Sequence, residues 1–290
     1  MQNKLKEALE NKVLVFDGAM GTEIYRRNFF VNTSYENLCL TNPKVIGEIH
    51  KSYLDAGAEV LTANSYGANF NKLAKFGLAE RLEEINRAAV RIAKTAADGK
   101  ALVAASVGPV GDIPKGTTCT KEHAVEMIAE QVRALVKEEP DFILFETLRS
   151  LYDVEIATAA LEAAAPEYPY MISVQVDRNA MTQSGDDVSA ILAFLAETKH
   201  QPTAFGLNCS PGPGAALAAF ERFSHHCAYP VVIQPNAGMP QNVDNRMIYM
   251  SSPEYFTTYA MRCVALGARG VGLYRSEYLW LNEEGEPSEE

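Results

Sequence analysis

Residues 204–213 read AFGLNCSPGP, a segment whose pattern of apolar run, loop and helix start recurs along the whole chain. An apolar run ends at Asn208 and Cys209 and enters a loop of proline and glycine, which favours neither strand nor helix. After the loop, apolar residues three and four apart predict a helix over 213–223, with Pro213 in the first turn, where a helix accepts proline. The segment is therefore one strand–loop–helix unit.

The same unit recurs along the sequence. The apolar runs are VLVFDG from Val13, EVLTANSY from Glu59, ALVAASVG from Ala101, FILFET from Phe142, YMISVQVD from Tyr170, AFGLNC from Ala204, VVIQPNA from Val231 and GVGLY from Gly270. Helical periodicity covers 43–56, 78–97, 121–138, 151–164, 188–197, 213–223 and 253–266.

Eight continuous apolar runs, seven of them followed by a helix, are typical of parallel strands buried on both faces. We predict an α/β fold, a (β/α)8 TIM barrel with its last helix missing or short, and a doubly wound sheet is the alternative. No linker divides the sequence, so we expect one domain over residues 1–290.

Composition excludes several classes of function. A formal net charge of -11 opposes binding to nucleic acid, and the small basic clusters do not offset it. No apolar run approaches the roughly 18 residues that a membrane span needs, and the charged N-terminal segment does not resemble a signal peptide. Five cysteines, an odd number without a regular framework, indicate a reducing compartment. We expect a cytoplasmic protein.

Polar residues stand at the carboxyl ends of the predicted strands. They include Asp17, Asn64, Glu146, Asn208, Cys209 and Asn236. In a barrel these ends converge on one mouth, which is where ligands bind. Taken singly, each residue has a structural explanation: Asp17 could cap a turn, Glu146 could pair with a buried arginine, and Cys209 could pack as a small apolar side chain. Their repeated placement at the same end favours a functional site.

Five motifs in order carry a family resemblance. DGAMGTE, ANSYGAN, FET, GLNC and PNAG resemble the homocysteine S-methyltransferase family, whose fold is a barrel. The resemblance implies that Cys209 is a zinc ligand and that Asp17 and Glu146 help to hold the amino acid. The substrate site is then expected to contain Asp17, Gly18, Ala19, Met20, Thr22, Asn64, Glu146, Asn208 and Asn236, with the backbone amides of 18–22 facing the substrate carboxylate.

The chemistry implied by this resemblance needs an activated thiol. A thiol with a pKa near 8.5 is mostly protonated at neutral pH, and zinc removes that proton when three protein ligands leave one position open. The partners would be an amino-acid thiol and a methyl donor. The sequence does not choose among methylfolate, methylcobalamin, betaine and S-methylmethionine.

The sequence departs from the family where the last strand ends. The family has a pair of cysteines there that complete the zinc site, whereas this chain has Tyr274 and Arg275. The segment GLYRSEYL is similar instead to the phosphoenolpyruvate-utilising Enzyme I family, in which the arginine matched by Arg275 contacts phosphate. Cys39, Cys119 and His123 are weak candidates to replace the missing ligands.

Three functions are therefore open. The first is a homocysteine S-methyltransferase that acts through Cys209, Glu146 and Asp17. The second is a metal-free barrel that binds or senses an amino acid without methyl transfer. The third is an enzyme for a phosphate or carboxylate substrate that uses Arg275 as its anchor.

Overall fold

The computed structural model describes residues 3–29, 33–111, 119–238, 240–243, 246–249 and 252–272. An eight-stranded parallel sheet forms its centre, in the spatial order β1-β10-β7-β6-β5-β4-β3-β2. The strands are β1 (Leu14–Val15), β2 (Val60–Ala63), β3 (Leu102–Val107), β4 (Phe142–Leu148), β5 (Tyr170–Val174), β6 (Ala204–Asn208), β7 (Val231–Gln234) and β10 (Gly270–Val271). A parallel bridge between Phe16 and Val60 joins the two edges of the sheet. The predicted barrel is confirmed.

Helices cover the outside of the barrel. They are α1 (Lys4–Asn11), α2 (Met20–Arg26), α3 (Leu38–Thr41), α4 (Pro43–Asp55), α5 (Phe70–Ala74), α6 (Leu82–Ala97), α7 (Lys121–Val136), α8 (Leu151–Ala164), α9 (Val188–Glu197), α10 (Pro213–Phe223) and α11 (Pro253–Ala265). All seven predicted crossover helices are confirmed, with ends within a few residues of the predictions. Side-chain oxygens cap several of them, as when Ser150 accepts from the amide of Asp153 at the start of α8.

The apolar core has two layers, as strand alternation requires. One layer lies between strands and helices and contains Phe145, Tyr170 and Phe205, each at most 1% exposed. The other fills the barrel and contains Phe142, Leu144 and their neighbours. The interior is therefore a packed core rather than a channel.

Helix α1 closes the N-terminal end of the barrel. Leu5 and Leu9 are 0% and 1% exposed and pack into the interior cluster. The side chain of Arg269 donates to the carbonyl oxygens of Leu9 and Glu10 at 2.7 and 2.8 Å, which satisfies two of the acceptors left open at the end of a helix. Lys4 pairs with Asp141 at 2.7 Å.

Four structural features were not predicted, and all follow carboxyl ends of strands; one of them is the short helix α3. The predicted turn at 18–22 is the start of helix α2, because the chain enters a helix at Met20. Helix α5 and a 3-10 turn at Ala79–Arg81 precede α6. A hairpin of β8 (Pro240–Val243) and β9 (Arg246–Tyr249) follows β7. The predicted short or missing last helix falls on residues outside the described ranges.

None of the helices in those ranges is long and apolar enough to cross a membrane.

Candidate functional site at the barrel mouth

A polar layer lies directly above the apolar interior of the barrel. Since side chains on one face of a strand recur every second residue, the inward face can be followed from one layer to the next. The apolar and polar members of each pair are Val60 and Thr62, Ala104 and Ser106, Leu144 and Glu146, and Met171 and Ser173. All four polar residues are at most 7% exposed. They form the floor of the mouth.

Glu146 is the charged member of this floor. It is 2% exposed, and its Oε1 accepts a short hydrogen bond from the hydroxyl of Ser106. Its Oε2 accepts from Nδ2 of Asn208 at 3.3 Å. A buried carboxylate needs such donors because leaving it unsolvated and unpaired is costly. Glu146 is thus held from β3, next to its own strand, and from β6, which lies beyond β5.

The backbone of β4 is irregular at this point. The pairing of β4 with β5 shifts register between Phe145 and Leu148, and Thr147 has a φ of 59°. Positive φ is rare for a β-branched residue, and register shifts of this kind re-aim side chains near functional sites. Oδ1 of Asn208 accepts from the displaced amide of Thr147 at 3.0 Å, so the irregularity is stabilised from β6.

Asn208 uses its full hydrogen-bonding capacity inside the protein. Oδ1 also accepts from the hydroxyl of Ser173 at 3.0 Å, and Nδ2 also bonds Oγ1 of Thr147 at 3.0 Å. An asparagine side chain offers two donors and two acceptor positions, and all four are engaged. This arrangement fits a residue that positions Glu146 and Thr147 better than one that binds a substrate directly.

Cys209 follows Asn208 in the sequence and lies at the same mouth. It is 3% exposed and has a φ of 55°. Its Sγ lies 3.9 Å from Nδ2 of Asn236, which arrives from the end of β7. Oδ1 of Asn236 and Oγ of Ser210 are buried without a hydrogen-bond partner. An unsatisfied buried acceptor costs stability unless a ligand pairs with it.

Asp17 lies at the end of β1. Both of its carboxylate oxygens accept hydrogen bonds from Thr62 on β2, one from the amide and one from the hydroxyl, each at 2.7 Å. The next residue has no room for a side chain, because a Cβ on Gly18 would lie 2.7 Å from the ring of Tyr53. Ala19 and Met20 are buried, and Thr22 is half-buried in helix α2.

Asn64 follows β2, and its side chain contacts the segment after α2. Its Nδ2 donates to the carbonyl of Tyr35 at 2.7 Å and lies 3.7 Å from Sγ of Cys39, which joins β2 to the segment after α2. Oδ1 of Asn64 is buried without a partner. Burial raises the pKa of Cys39 to about 12, so this thiol stays protonated at neutral pH.

Tyr66 follows β2 at the mouth, a strand-end position that the sequence indicates without assigning the residue to the substrate site. Its ring lies against Gly108, where a Cβ would come within 2.5 Å of the ring. Burial raises the pKa of Tyr66, and Coulombic interactions with Glu146 and Cys209 raise it further. The hydroxyl therefore stays protonated beside both residues. The sequence signal was weak, because a tyrosine after a strand is common in any core.

Two cations near Tyr66 were also missed. Nζ of Lys72 lies 4.1 Å from the centre of the Tyr66 ring, a cation–π distance. Arg149 directly follows β4 and is close enough for its charge to act on both Tyr66 and Lys72. Glu36 completes the group: it accepts from the amide of Gly67 at 2.8 Å.

The described residues do not supply a zinc site. Catalytic zinc needs three protein ligands, and within the described ranges no three histidine, cysteine, aspartate or glutamate side chains form a group that could hold a metal. Cys209 is the thiol present at the mouth. Tyr274 and Arg275 lie outside the described residues, and neither is a thiol. We therefore derive no chemical step from a metal.

Comparison with known proteins gives a consistent family. A family model described as homocysteine S-methyltransferase matches residues 14–272. The methionine synthase of Mycobacterium tuberculosis is 29% identical over 254 residues, which cover 81% of this chain and 21% of that protein. The chain thus spans about a fifth of this relative.

Solved structures agree in fold and length. The homocysteine methyltransferase MmuM from Escherichia coli in its metallated form is 26% identical, with a TM-score of 0.79 over 93% of this chain and 94% of that chain. Its oxidized form gives 25% identity and a TM-score of 0.80 over 95% of each chain.

Proposed function

The chain belongs to the homocysteine S-methyltransferase family, and from that premise we propose that it binds homocysteine in the barrel mouth and methylates its thiol. The observation that carries the proposal is the buried arrangement in which Asn208 donates to Glu146 and is followed directly by Cys209. Glu146 and Asp17 would face the substrate ammonium, and the amides of 18–22 its carboxylate.

Methyl transfer makes few demands on acid–base groups. The bond from the methyl carbon to the substrate sulfur forms as the bond to the donor breaks. The donor keeps that electron pair, and the thiol proton is released. What the protein must supply is orientation of sulfur and methyl group, which is the larger part of the rate gain in a two-substrate reaction. The rigid floor of hydrogen bonds around Glu146 suits that task.

One observation favours a second candidate, a metal-free barrel that binds the amino acid without turning it over. Within the described ranges, no three histidine, cysteine, aspartate or glutamate side chains form a group that could hold a metal. In that case the pocket would be kept for binding or regulation. Use of Arg275 as an anion anchor in a different enzyme is the third, and it predicts stabilisation by phosphoenolpyruvate that Arg275→Ala abolishes.

The decisive experiment combines metal analysis with a methylation assay. Protein purified without chelator is analysed for zinc, and homocysteine methylation is measured with methylfolate, methylcobalamin, betaine and S-methylmethionine. We expect turnover that is lost in Cys209→Ser and kept in Cys263→Ser, a matched control because Cys263 is 2% exposed in helix α11.

The other outcomes separate the candidates. Less than a tenth of an equivalent of zinc, no turnover and a thermal shift with homocysteine would establish the metal-free binding barrel. Indifference to homocysteine in both measurements would refute the first two candidates together.

A further inference from the structure

The outer layer of the barrel has a gap beside β1. On β2 to β7 the apolar outward side chains, such as Leu61 and Ile233, are at most 4% exposed, because helices pack over them. Leu14 and Phe16 of the first strand segment point into the barrel, which leaves Val15 between them on the outside. Val15 is 43% exposed. The described helices therefore leave this part of the sheet uncovered.

The gap continues onto β10. Val271 pairs with Val15 in parallel register and is only half-buried. It also lines an apolar crevice together with Ile233, Cys263 and Gly272, the last residue that the structure describes. Neighbouring strands lie about 4.8 Å apart, so the exposed side chain of Val15 is one strand beyond this crevice. The two form one continuous apolar surface.

Helix α11 borders the gap with one flank. Its other flank faces α10, since the ring of Tyr259 lies 3.4 Å from where a Cβ on Gly214 would lie. At 3.6 residues per turn, Met261 and Val264 point away from α10. Because α10 connects β6 to β7, this flank lies toward β1 in the strand order. Met261 is 62% exposed, and Val264 is half-buried. The uncovered surface, here called the open face, consists of Val15, Val271, Met261 and Val264.

The sequence after Gly272 carries side chains that suit the open face. Residues 273–290 lie outside the described ranges, and the family match also ends at residue 272. Within them, the apolar run YLWL at 278–281 is followed by Asn282 and the acidic sequence EEGEPSEE. An apolar run in water and an exposed apolar face are both unfavourable, and packing one against the other removes both from solvent.

The connection between the two makes this pairing favourable. Gly272 directly follows Val271, and the six residues from there to Tyr278 span at most about 20 Å. The run is thus within reach of Val15, which lies one strand away. A tethered segment meets its binding surface at an effective concentration of about 1 mM, whereas a second copy must bind from dilute solution. The open face is therefore better matched to its own chain than to a partner.

We propose that the open face binds residues 278–281 of the same chain, with Trp280 packed against Val15 and the flank of helix α11. A tryptophan buries the largest apolar area of any side chain in such a contact. The inference goes beyond the proposed function and does not depend on it, because the open face lies outside the barrel and homocysteine is assigned to the mouth.

Intrinsic fluorescence tests the docking directly, because Trp280 is the single tryptophan of the chain. In the native full-length protein, we expect its emission to be blue-shifted and its quenching by acrylamide to be several-fold weaker than in the urea-unfolded protein. Val15→Lys and Met261→Lys should each move the emission toward the unfolded position and raise the quenching constant about twofold or more, since a charged group cannot be buried unpaired beside the indole.

The chain supplies a matched control. Phe76→Lys replaces a side chain that is 45% exposed two residues after helix α5, and it should leave both readouts unchanged. Leu281→Ser weakens the docking from the other partner and should shift the emission as Val15→Lys does. Far-UV circular dichroism establishes that each variant is folded. Met261→Lys, at a highly exposed position, provides the test if Val15→Lys does not fold.

Three results would overturn the proposal. The native emission matches that of the unfolded protein; Trp280 is buried but neither Val15→Lys nor Met261→Lys exposes it; or the blue shift disappears on dilution together with a dimer seen by light scattering, which would assign the open face to a second copy. Homocysteine binding and methyl transfer are measured separately. Their failure would refute the proposed function and leave the docking of 278–281 intact.

Discussion

The two ends of the barrel are built in opposite ways. At the N-terminal end, α1 inserts Leu5 and Leu9 into the interior, and Arg269 satisfies the carbonyl oxygens where that helix ends. At the C-terminal mouth, acceptor atoms of Asn64 and Asn236 are buried without partners. Around α1 the terminal carbonyl oxygens are satisfied within the chain, whereas at the mouth these two acceptors have no partner among the described residues.

The difference concerns the free energy of unfolding, which unsatisfied polar atoms at the mouth lower until a ligand pairs with them. A buried polar atom without a partner costs about 1–3 kcal/mol, and several of them lie at the mouth. At the N-terminal end, Leu5 and Leu9 of α1, here called the plug, contribute instead through the burial of apolar surface, which is worth about 25 cal/mol per Å². Substitutions at the two ends should therefore have opposite signatures: loss of stability at the plug, and loss of binding at the mouth.

The largest effect is expected at the plug. Leu9→Ala should lower the free energy of unfolding by about 2–5 kcal/mol, because it leaves a cavity in the barrel interior. Urea denaturation measures it, with Glu10→Ala on the exposed face of the same helix as the control. Affinity for homocysteine should not change in the folded protein. A loss below about 0.5 kcal/mol would show that α1 is not part of the cooperative core.

Glu146→Gln should give the reverse pattern. The amide keeps the shape of the side chain but loses its charge toward a substrate ammonium, so Kd for homocysteine should rise about 10- to 100-fold. Stability should change by less than about 1 kcal/mol, because the amide oxygen can accept from Asn208 while the amide NH2 donates to the hydroxyl of Ser106, which can donate or accept. Glu162→Gln, in an exposed ion pair with Lys199, is the control. Unchanged affinity would remove Glu146 from the substrate site.

The sequence predicted the scaffold because the scaffold is periodic. Eight apolar runs and seven helices recur at regular intervals, and helix-start signals such as Pro43, Pro213 and Pro253 mark three of their boundaries. Helix α5 and the β8–β9 hairpin were missed because they are short insertions at the mouth, where local sequence patterns are weak and tertiary contacts decide the structure.

The candidate site was predictable only in part. Asp17, Glu146, Asn208 and Cys209 stand at strand ends and could be found by position. Ser106 and Tyr66 also stand at strand ends, and Ser173 could have been found by counting every second residue along the apolar run of its strand. Lys72 and Arg149 could not, since lysine and arginine are common on surfaces and only the fold shows that these two are half-buried.

The smallest effect is expected at the mouth, where a substitution should raise the free energy of unfolding, whereas the substitution at the plug lowers it. Lys72→Met should raise the free energy of unfolding at pH 7 by about 1–2 kcal/mol, because it removes a desolvated charge and keeps an apolar stem over Tyr66. The charges acting on this ammonium are those of Glu36, Glu146, Arg149 and Lys75. Lys75→Met, at an exposed position, should have almost no effect.

The pH dependence of that gain identifies its cause. The pKa of Lys72 is lowered from its ordinary value of 10.5 to about 8 by burial, so between these pH values the unfolded chain holds a proton that the native protein lacks. Wild-type stability relative to Lys72→Met therefore rises with pH through this window. Urea denaturation at pH 7 and at about pH 10 should show the advantage of the variant shrinking as the lysine becomes neutral. An advantage that stays constant with pH would assign the gain to packing and not to the unpaired charge, and the mouth would then lose its strongest energetic contrast with the plug.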